Sequence, residues 1–223
     1  MPGSYLESPA FQREMRALLD QQQRGRGRTL PAELPETALL IVDMQTYFLD
    51  PASHAYVPGA EATLAACERL AESFATARRP VLLTRHLNTA ANAGMLARWW
   101  ADSIRRRSPL SRVHPRLAAG GFGVLEKSQY DAFHGTRLAT RLRRRRIRRL
   151  VIAGVVTHLC CETTARTAFV RGFEVILATD ATAAYAPEFH LGSLRNLAHG
   201  FATLATTAEI EAALAPVPRG ARR

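Results

Sequence analysis

Lysine is almost missing from this 223-residue chain: of its 30 basic residues 29 are arginine, and the single lysine is Lys127. Arginine serves wherever a positive charge only has to be present, but it cannot supply a small, deprotonatable amine. The surviving lysine therefore marks a position that requires an ammonium. Cysteine is scarce too, with three in the chain, two of them adjacent at Cys160 and Cys161. This excludes a disulfide framework, and without Cys-x-x-Cys or clustered His/Cys spacing no structural zinc is expected. No apolar run approaches the roughly 18 residues of a membrane span. The polar opening from Met1 to Gln23 lacks the apolar core of a secretion signal, so a soluble, cytoplasmic protein is expected. A glycine-rich phosphate loop and an internal repeat are also absent.

What is present suits one domain: 47% of the residues are hydrophobic, ordinary for a globular α/β protein. A formal charge of +11 admits nucleic acid or an anionic surface as partner. The distribution argues against it. Seven arginines crowd into Arg141–Arg149 (RLRRRRIRR), between a predicted helix and a predicted strand. Such runs face water, and cations suit a helix C-terminus.

Residues 1–35 are amphipathic, then Arg/Gly-rich, and end in Pro31 and Pro35, which predicts a peripheral helix and linker. A single domain is expected over 36–215, followed by a basic tail at 216–223. Ala38–Val42 (ALLIV) is a continuous apolar run ending at Asp43, the pattern of a strand buried on both faces. Further strands are predicted at Pro80–Thr84, Val124–Lys127, Leu150–Val155, Phe173–Ala178 and Ala202–Ala205. Helices are predicted over Gly59–Ala77, Thr136–Arg145, Cys160–Arg171, Pro187–His199 and Thr207–Leu214. Residues 87–123 form a long connection holding Trp99, Trp100 and Arg105–Arg107, the kind of segment that covers a site. The alternation implies an α/β fold, a three-layer αβα sandwich around a mainly parallel, Rossmann-like sheet with right-handed crossovers. Ligands then bind beyond the carboxyl ends of the strands. Asp43, His86, Lys127 and the turn Gly154–Cys160 should converge there.

A cysteine at a helix N-terminus has its thiolate stabilised by the dipole and by free N–H groups, which makes it a candidate nucleophile. Helical phase separates the two neighbours. Cys161, Ala165, Ala168 and Phe169 form an apolar stripe expected to face the core, whereas Cys160 shares a face with Thr164, Thr167 and Arg171. Cys161 and Cys67 are then packing residues. A thiol nucleophile needs a base; Asp43 at the mouth of its strand is the candidate, with Lys127 stabilising the charges that form. None of the three is diagnostic alone. Their joint placement at one sheet edge is the signal.

The segments Ala38–Gln45 (ALLIVDMQ), Leu125–Phe133 (LEKSQYDAF) and Val151–Ala168 (VIAGVVTHLCCETTARTA) resemble, in order, the three signature stretches of the isochorismatase-like cysteine hydrolases. The resemblance covers most of the chain after residue 36. It implies Asp43, Lys127 and Cys160 as catalytic residues, a cis peptide between Val155 and Val156, and an oxyanion hole from the N–H groups of Val156 and Cys160. It further implies a homodimer or homotetramer acting on a small molecule. Relatives with the whole trio mostly cleave C–N bonds of small amides through an acyl-enzyme. Nicotinamidases in this group carry a metal-binding Asp-x-His and further histidines, but the stretch after His86 (LNTAANAGML) offers no such set, so no metal or other cofactor is expected. Tyr130–His134, the Thr-His-Leu before Cys160 and Glu188–Leu194 look more like the true isochorismatases, which cleave a vinyl ether without a thiol and usually have glycine at the position of Cys160.

Phe48, His86, Trp100, Tyr130 and His158 are the candidates for contacting substrate, His86 and Tyr130 foremost because they follow strand ends. Arg166 and His190 are expected to be structural or interfacial. The leading expectation is a thiol-dependent amidase acting on an amide, lactam or carbamoyl compound. An isochorismatase that does not use its cysteine is the alternative, and a non-catalytic nucleic-acid-binding protein is the third reading.

Overall fold

The run Thr37–Val42 is buried along its whole length, as a strand covered on both faces must be. A computed structural model of the chain describes residues 4–24, 29–100 and 102–214, so the basic tail expected at 216–223 lies outside the described residues. In chain order the elements are α1 (Pro9–Gln23), β1 (Thr37–Val42), α2 (Thr46–Leu49), α3 (Ala60–Thr76), β2 (Val81–His86), α4 (Leu96–Trp99), α5 (Pro115–Ala118), β3 (Gly123–Lys127), α6 (Leu138–Arg144), β4 (Arg149–Val155), α7 (Glu162–Val170), β5 (Glu174–Ala183), α8 (Pro187–Gly200), β6 (Thr203–Ala205) and α9 (Thr207–Leu214). A π-helical turn, Thr157–Cys161, joins β4 to α7.

The six strands lie in the order β3-β2-β1-β4-β5-β6, and every neighbouring pair is parallel. Helices cover the sheet to make the expected three-layer sandwich. Leu40 is in register with Leu82 on one side and Ile152 on the other, so β1 and β4 are central. The direction of winding reverses between them, and a crevice opens at such a switch point beyond the carboxyl ends. Asp43 follows β1, and the turn carrying Cys160 follows β4.

Three expectations are corrected. The N-terminal segment is not peripheral: Phe11 and Met15 are buried in the main core, and Tyr5 Oη lies 2.8 Å from His190 Nδ1 while accepting from Ala184 N–H (2.8 Å). The Gln22 side chain accepts from Leu204 N–H (2.8 Å) and donates to Leu204 O (3.0 Å), saturating part of the edge strand β6 as a further strand would. Strand β5 continues to Ala183 rather than stopping at Ala178, because its polar residues find partners: Thr179 Oγ1 donates to Ala205 O, and Asp180 accepts from Thr207 N–H. Phe169 leaves the buried stripe of α7 and is 50% exposed, its ring edge-on to Phe201. Eight residues of α-helix turn through two revolutions plus about 80°, which carries Phe169 away from Cys161. The arginine run is solvated as expected: Arg143–Arg146 are exposed while Leu142 and Ile147 anchor the segment in the core.

Candidate active site

Two local constraints place Asp43. Gly154 of β4 is in register with Val42, and a Cβ there would stand 2.1 Å from Val42 O, so only glycine lets the two strands approach where they end. Asp43 itself has φ 49°, a left-handed conformation that a non-glycine residue adopts only against a cost of about 1 kcal/mol or more. Thr84 of β2 holds it there. Its Oγ1 accepts from Asp43 N–H (2.9 Å) and donates to Asp43 Oδ1 (2.6 Å).

Lys127, the last residue of β3, sends its side chain across β2 to the other carboxylate oxygen. Nζ to Asp43 Oδ2 is 2.6 Å, with both side chains fully inaccessible to solvent. Nζ also donates to Gln129 O (2.9 Å) and lies 3.1 Å from His86 Nδ1 and 3.3 Å from Cys160 Sγ. Burial works against the ammonium, but the Asp43 carboxylate and the Cys160 sulfur outweigh it and hold the Lys127 pKa above its ordinary value. For the thiol, burial pushes the pKa up to about 12; Lys127 pulls it down and Asp43 adds to the rise. The Lys127 ammonium and the neutral Cys160 thiol thus meet Asp43 in one buried group.

His86 orients the lysine from below. Its pKa is lowered to about 4, by burial first and then by Lys127, so it is neutral. Nε2 faces Asn88 Oδ1 at 2.9 Å, and Asn88 in turn donates to Ser128 O. An Nε2–H bonded to that amide oxygen leaves Nδ1 as the acceptor for Lys127. Gln45 completes the frame: its side chain accepts from His86 N–H and donates to His86 O and Ser111 O.

Cys160 sits inside the π-helical turn rather than at the start of a regular α-helix, 4% exposed. The Val155–Val156 peptide bond before this turn is cis. The face that Cys160 shares with Thr164 is turned toward the loop after Lys127, where Thr164 Oγ1 accepts from Ala132 N–H (3.0 Å). That contact fixes the loop carrying Tyr130. Cys161 is fully buried, as helical phase predicts, and Cys67 likewise.

Above Cys160 opens a cavity of about 270 Å³ with aromatic walls from Tyr47, Phe48, Trp100, Tyr130 and Tyr185. Cys160 and Val156 form part of its lining, together with His86 and Asn88. Trp100 Nε1 donates to Tyr130 Oη at 2.6 Å, which couples the long connection to the loop after β3. Of the residues expected to contact substrate, Phe48, His86, Trp100 and Tyr130 all line this cavity. His158 does not. Its ring stacks on Phe189 of α8 with centroids 4.6 Å apart, because the π turn directs it toward that helix. His190 is fully buried between Tyr5 and Thr182, a structural position, and Arg166 pairs with Glu162 and lies over the Phe201 ring at the surface.

Sequence reasoning missed Thr84, Gln45, Asn88, Tyr47, His54, Asp102 and Tyr185. Thr84 alone left a signal, as the polar end of the apolar run PVLLT. Gln45 and Tyr185 act between segments far apart in the chain, whereas Asn88 and His54 act on near neighbours, His86 and Tyr47.

Asp43, His86 and Cys160 place possible metal-ligand atoms within 4.8 Å of one another. The Lys127 ammonium already lies within 3.3 Å of all three residues. A divalent ion would have to share that space with a second positive charge, so the donor set fits the lysine and not a metal.

With this geometry in view, the comparisons are decisive for ancestry. The isochorismatase domain family matches residues 37–209. The chain belongs to the isochorismatase family. It is 38% identical over 172 residues to nicotinamidase 3 of Arabidopsis thaliana, covering 75% of this chain and 83% of that protein. It is 30% identical over 194 residues to enterobactin synthase component B of Escherichia coli K12, covering 86% and 68%. Among solved structures, a cysteine hydrolase from Pseudomonas syringae pv. phaseolicola 1448A superposes with a TM-score of 0.77 at 28% identity, covering 85% of this chain and 95% of that one. This isochorismatase-family hydrolase has no helix among its described residues long and apolar enough to cross a membrane.

Proposed function

We propose that this hydrolase cleaves an amide-type C–N bond of a small molecule through a thioester on Cys160, with Asp43 as proton carrier and Lys127 as the fixed positive charge. One observation carries the reading: the Lys127 ammonium touches both the Asp43 carboxylate and the Cys160 sulfur at the base of a cavity. A neutral buried thiol is unreactive, so it must lose its proton as it attacks. Asp43 accepts that proton while sulfur bonds to the carbonyl carbon and the C=O electron pair moves onto oxygen. Backbone N–H groups of Val156 and Cys160 would receive this oxyanion. Collapse breaks the C–N bond, and protonated Asp43 returns the proton to the departing nitrogen. Water then attacks the thioester, giving one proton to Asp43, and the departing sulfur recovers it. Lys127 keeps its charge throughout, which lowers the energy of the negative charge that builds on sulfur as its proton moves to and from Asp43. The enzyme would act in the cytoplasm as a homodimer or homotetramer.

The similarity to nicotinamidase 3 and to the cysteine hydrolase supports this chemistry. A panel of small amides, lactams and carbamoyl compounds, followed by intact-mass detection of the acyl adduct, is the test. Cys160→Ala should lose turnover by at least about a thousandfold and form no adduct. Undiminished turnover in that variant refutes the mechanism. The similarity to enterobactin synthase component B favours a second reading, vinyl-ether cleavage of isochorismate without a thiol. Pyruvate release from isochorismate by Cys160→Ala would establish it.

A further inference from the structure

The chain carries 29 arginines, yet among the described residues lining the cavity over Cys160 there is none. The lone lysine does not line it either, and its charge is matched by Asp43 beneath. Apart from that trio, the carboxylate facing the cavity is Asp102, 53% exposed at the side chain. His54 lines the cavity beside it and is engaged: Nε2 lies 3.0 Å from Tyr47 Oη and 3.9 Å from Asp102 Oδ2. His86 stays neutral, as described above. The remaining wall is aromatic and aliphatic, and aromatic faces attract cations and repel anions. Arg105, Arg106 and Arg107 line a neighbouring cavity that shares Asn88, Trp100 and Asp102 with this one, and Arg106 is paired with Glu126.

We infer that this cavity selects against anionic substrates and takes an amide whose far end is neutral or cationic, with Asp102 as the specificity-determining residue. The inference rests on the reading of Cys160 as the nucleophile of this cavity. A carboxylate entering here exchanges water for aromatic walls, without a free cation among the described lining residues to receive it, and meets Asp102. A cationic nitrogen keeps a counter-ion at the rim and gains the ring faces. A dicarboxylate such as isochorismate is disfavoured on the same grounds, which weighs against the vinyl-ether reading.

The test uses the full chain and Asp102→Asn, which alters a half-exposed side chain and should leave folding intact. Cys160 is alkylated with iodoacetamide, iodoacetate and a trimethylammonium-bearing iodoacetamide, each rate normalised to that of mercaptoethanol and the site located by peptide mass mapping. Removing the Asp102 charge should narrow the ratio of cationic to anionic reactivity by about two- to fivefold, as expected for one partly exposed charge. An unchanged ratio overturns the inference. In parallel, kcat/KM for matched amides with cationic, neutral and anionic far ends should place the anionic ones about tenfold or more behind. Preference for the anionic amide overturns the inference while leaving the thiol mechanism standing. Charge-ordered alkylation without Cys160-dependent turnover of any amide does the reverse: it sinks the amidase reading and keeps the selectivity.

Discussion

Replacing Lys127 by methionine keeps an unbranched side chain of similar length and deletes only the ammonium. The ion pair with Asp43 spans 2.6 Å between side chains that have no solvent access. Removing one member of such a pair leaves a buried charge without compensation and costs about 3 to 5 kcal/mol. Gln129 O and His86 Nδ1 lose a donor at the same time. For a domain of this size each kcal/mol lowers Tm by about 2 to 4 °C, so the variant should melt roughly 6 to 20 °C lower. Urea unfolding followed by tryptophan fluorescence and circular dichroism measures the loss directly. The informative construction is the cycle with Asp43→Asn: removing both charges removes the cause of the penalty, so the double variant should be more stable than additivity predicts by about 1 to 3 kcal/mol. Lys127→Arg should not rescue the protein although it restores the charge, because the broad guanidinium has no space at a fully enclosed point between β2 and Cys160. A loss below about 1 kcal/mol in Lys127→Met, or strict additivity in the cycle, would refute the view that this pair is a single electrostatic unit.

Thr84→Val should cost about 2 to 5 kcal/mol in urea unfolding, since it strips a buried carboxylate and a buried N–H of the one hydroxyl serving both, while Thr84→Ser should stay within about 1.5 kcal/mol of the parent; equal stability of Val and Ser variants would contradict this. Gly154→Ala forces a Cβ against Val42 O at a φ of +104° and should lose at least about 3 kcal/mol or fail to accumulate as soluble protein, so a variant of normal Tm would show that β1 and β4 can part there. Burial lowers the pKa of His86 to about 4 and of His190 to about 3 from an ordinary 6.5. The unfolded chain therefore binds protons first as the pH falls: this stability is whole above pH 6.5 and is lost between there and about 4 for His86 and about 3 for His190, about 2 kcal/mol per histidine by pH 5. Urea midpoints that do not move between pH 7 and 5 would overturn that assignment.

The strands were legible because a sheet covered on both faces leaves a one-dimensional trace, the uninterrupted apolar run. β5 was read too short for the complementary reason: Thr179, Asp180 and Thr182 resemble loop residues until their partners on β6, α8 and α9 are in place. The N-terminal helix was misjudged because amphipathicity shows that one face is buried but not against what. Here the surface is α8 and β6, reached through Tyr5, Phe11 and Gln22. Helical phase put Cys161 in the core, where it is fully buried while Cys160 lines the cavity, but it misplaced Phe169, since phase error grows with each turn.

By itself the sequence determined the three-layer α/β fold, the uniqueness of Lys127, and the placing of Asp43, Lys127 and Cys160 at or just after strand ends. It could do so because a parallel sheet brings every carboxyl end to one edge, so order along the chain already implies proximity in space. The tertiary structure alone decided how those groups are held and what they face. Thr84 meets Asp43 across 41 residues, His86 meets Lys127 across 41, and Asp102 faces a cavity whose lining runs from Tyr47 to Tyr185. Such contacts depend on distances of a few ångströms between separate segments, set by packing after the chain has folded.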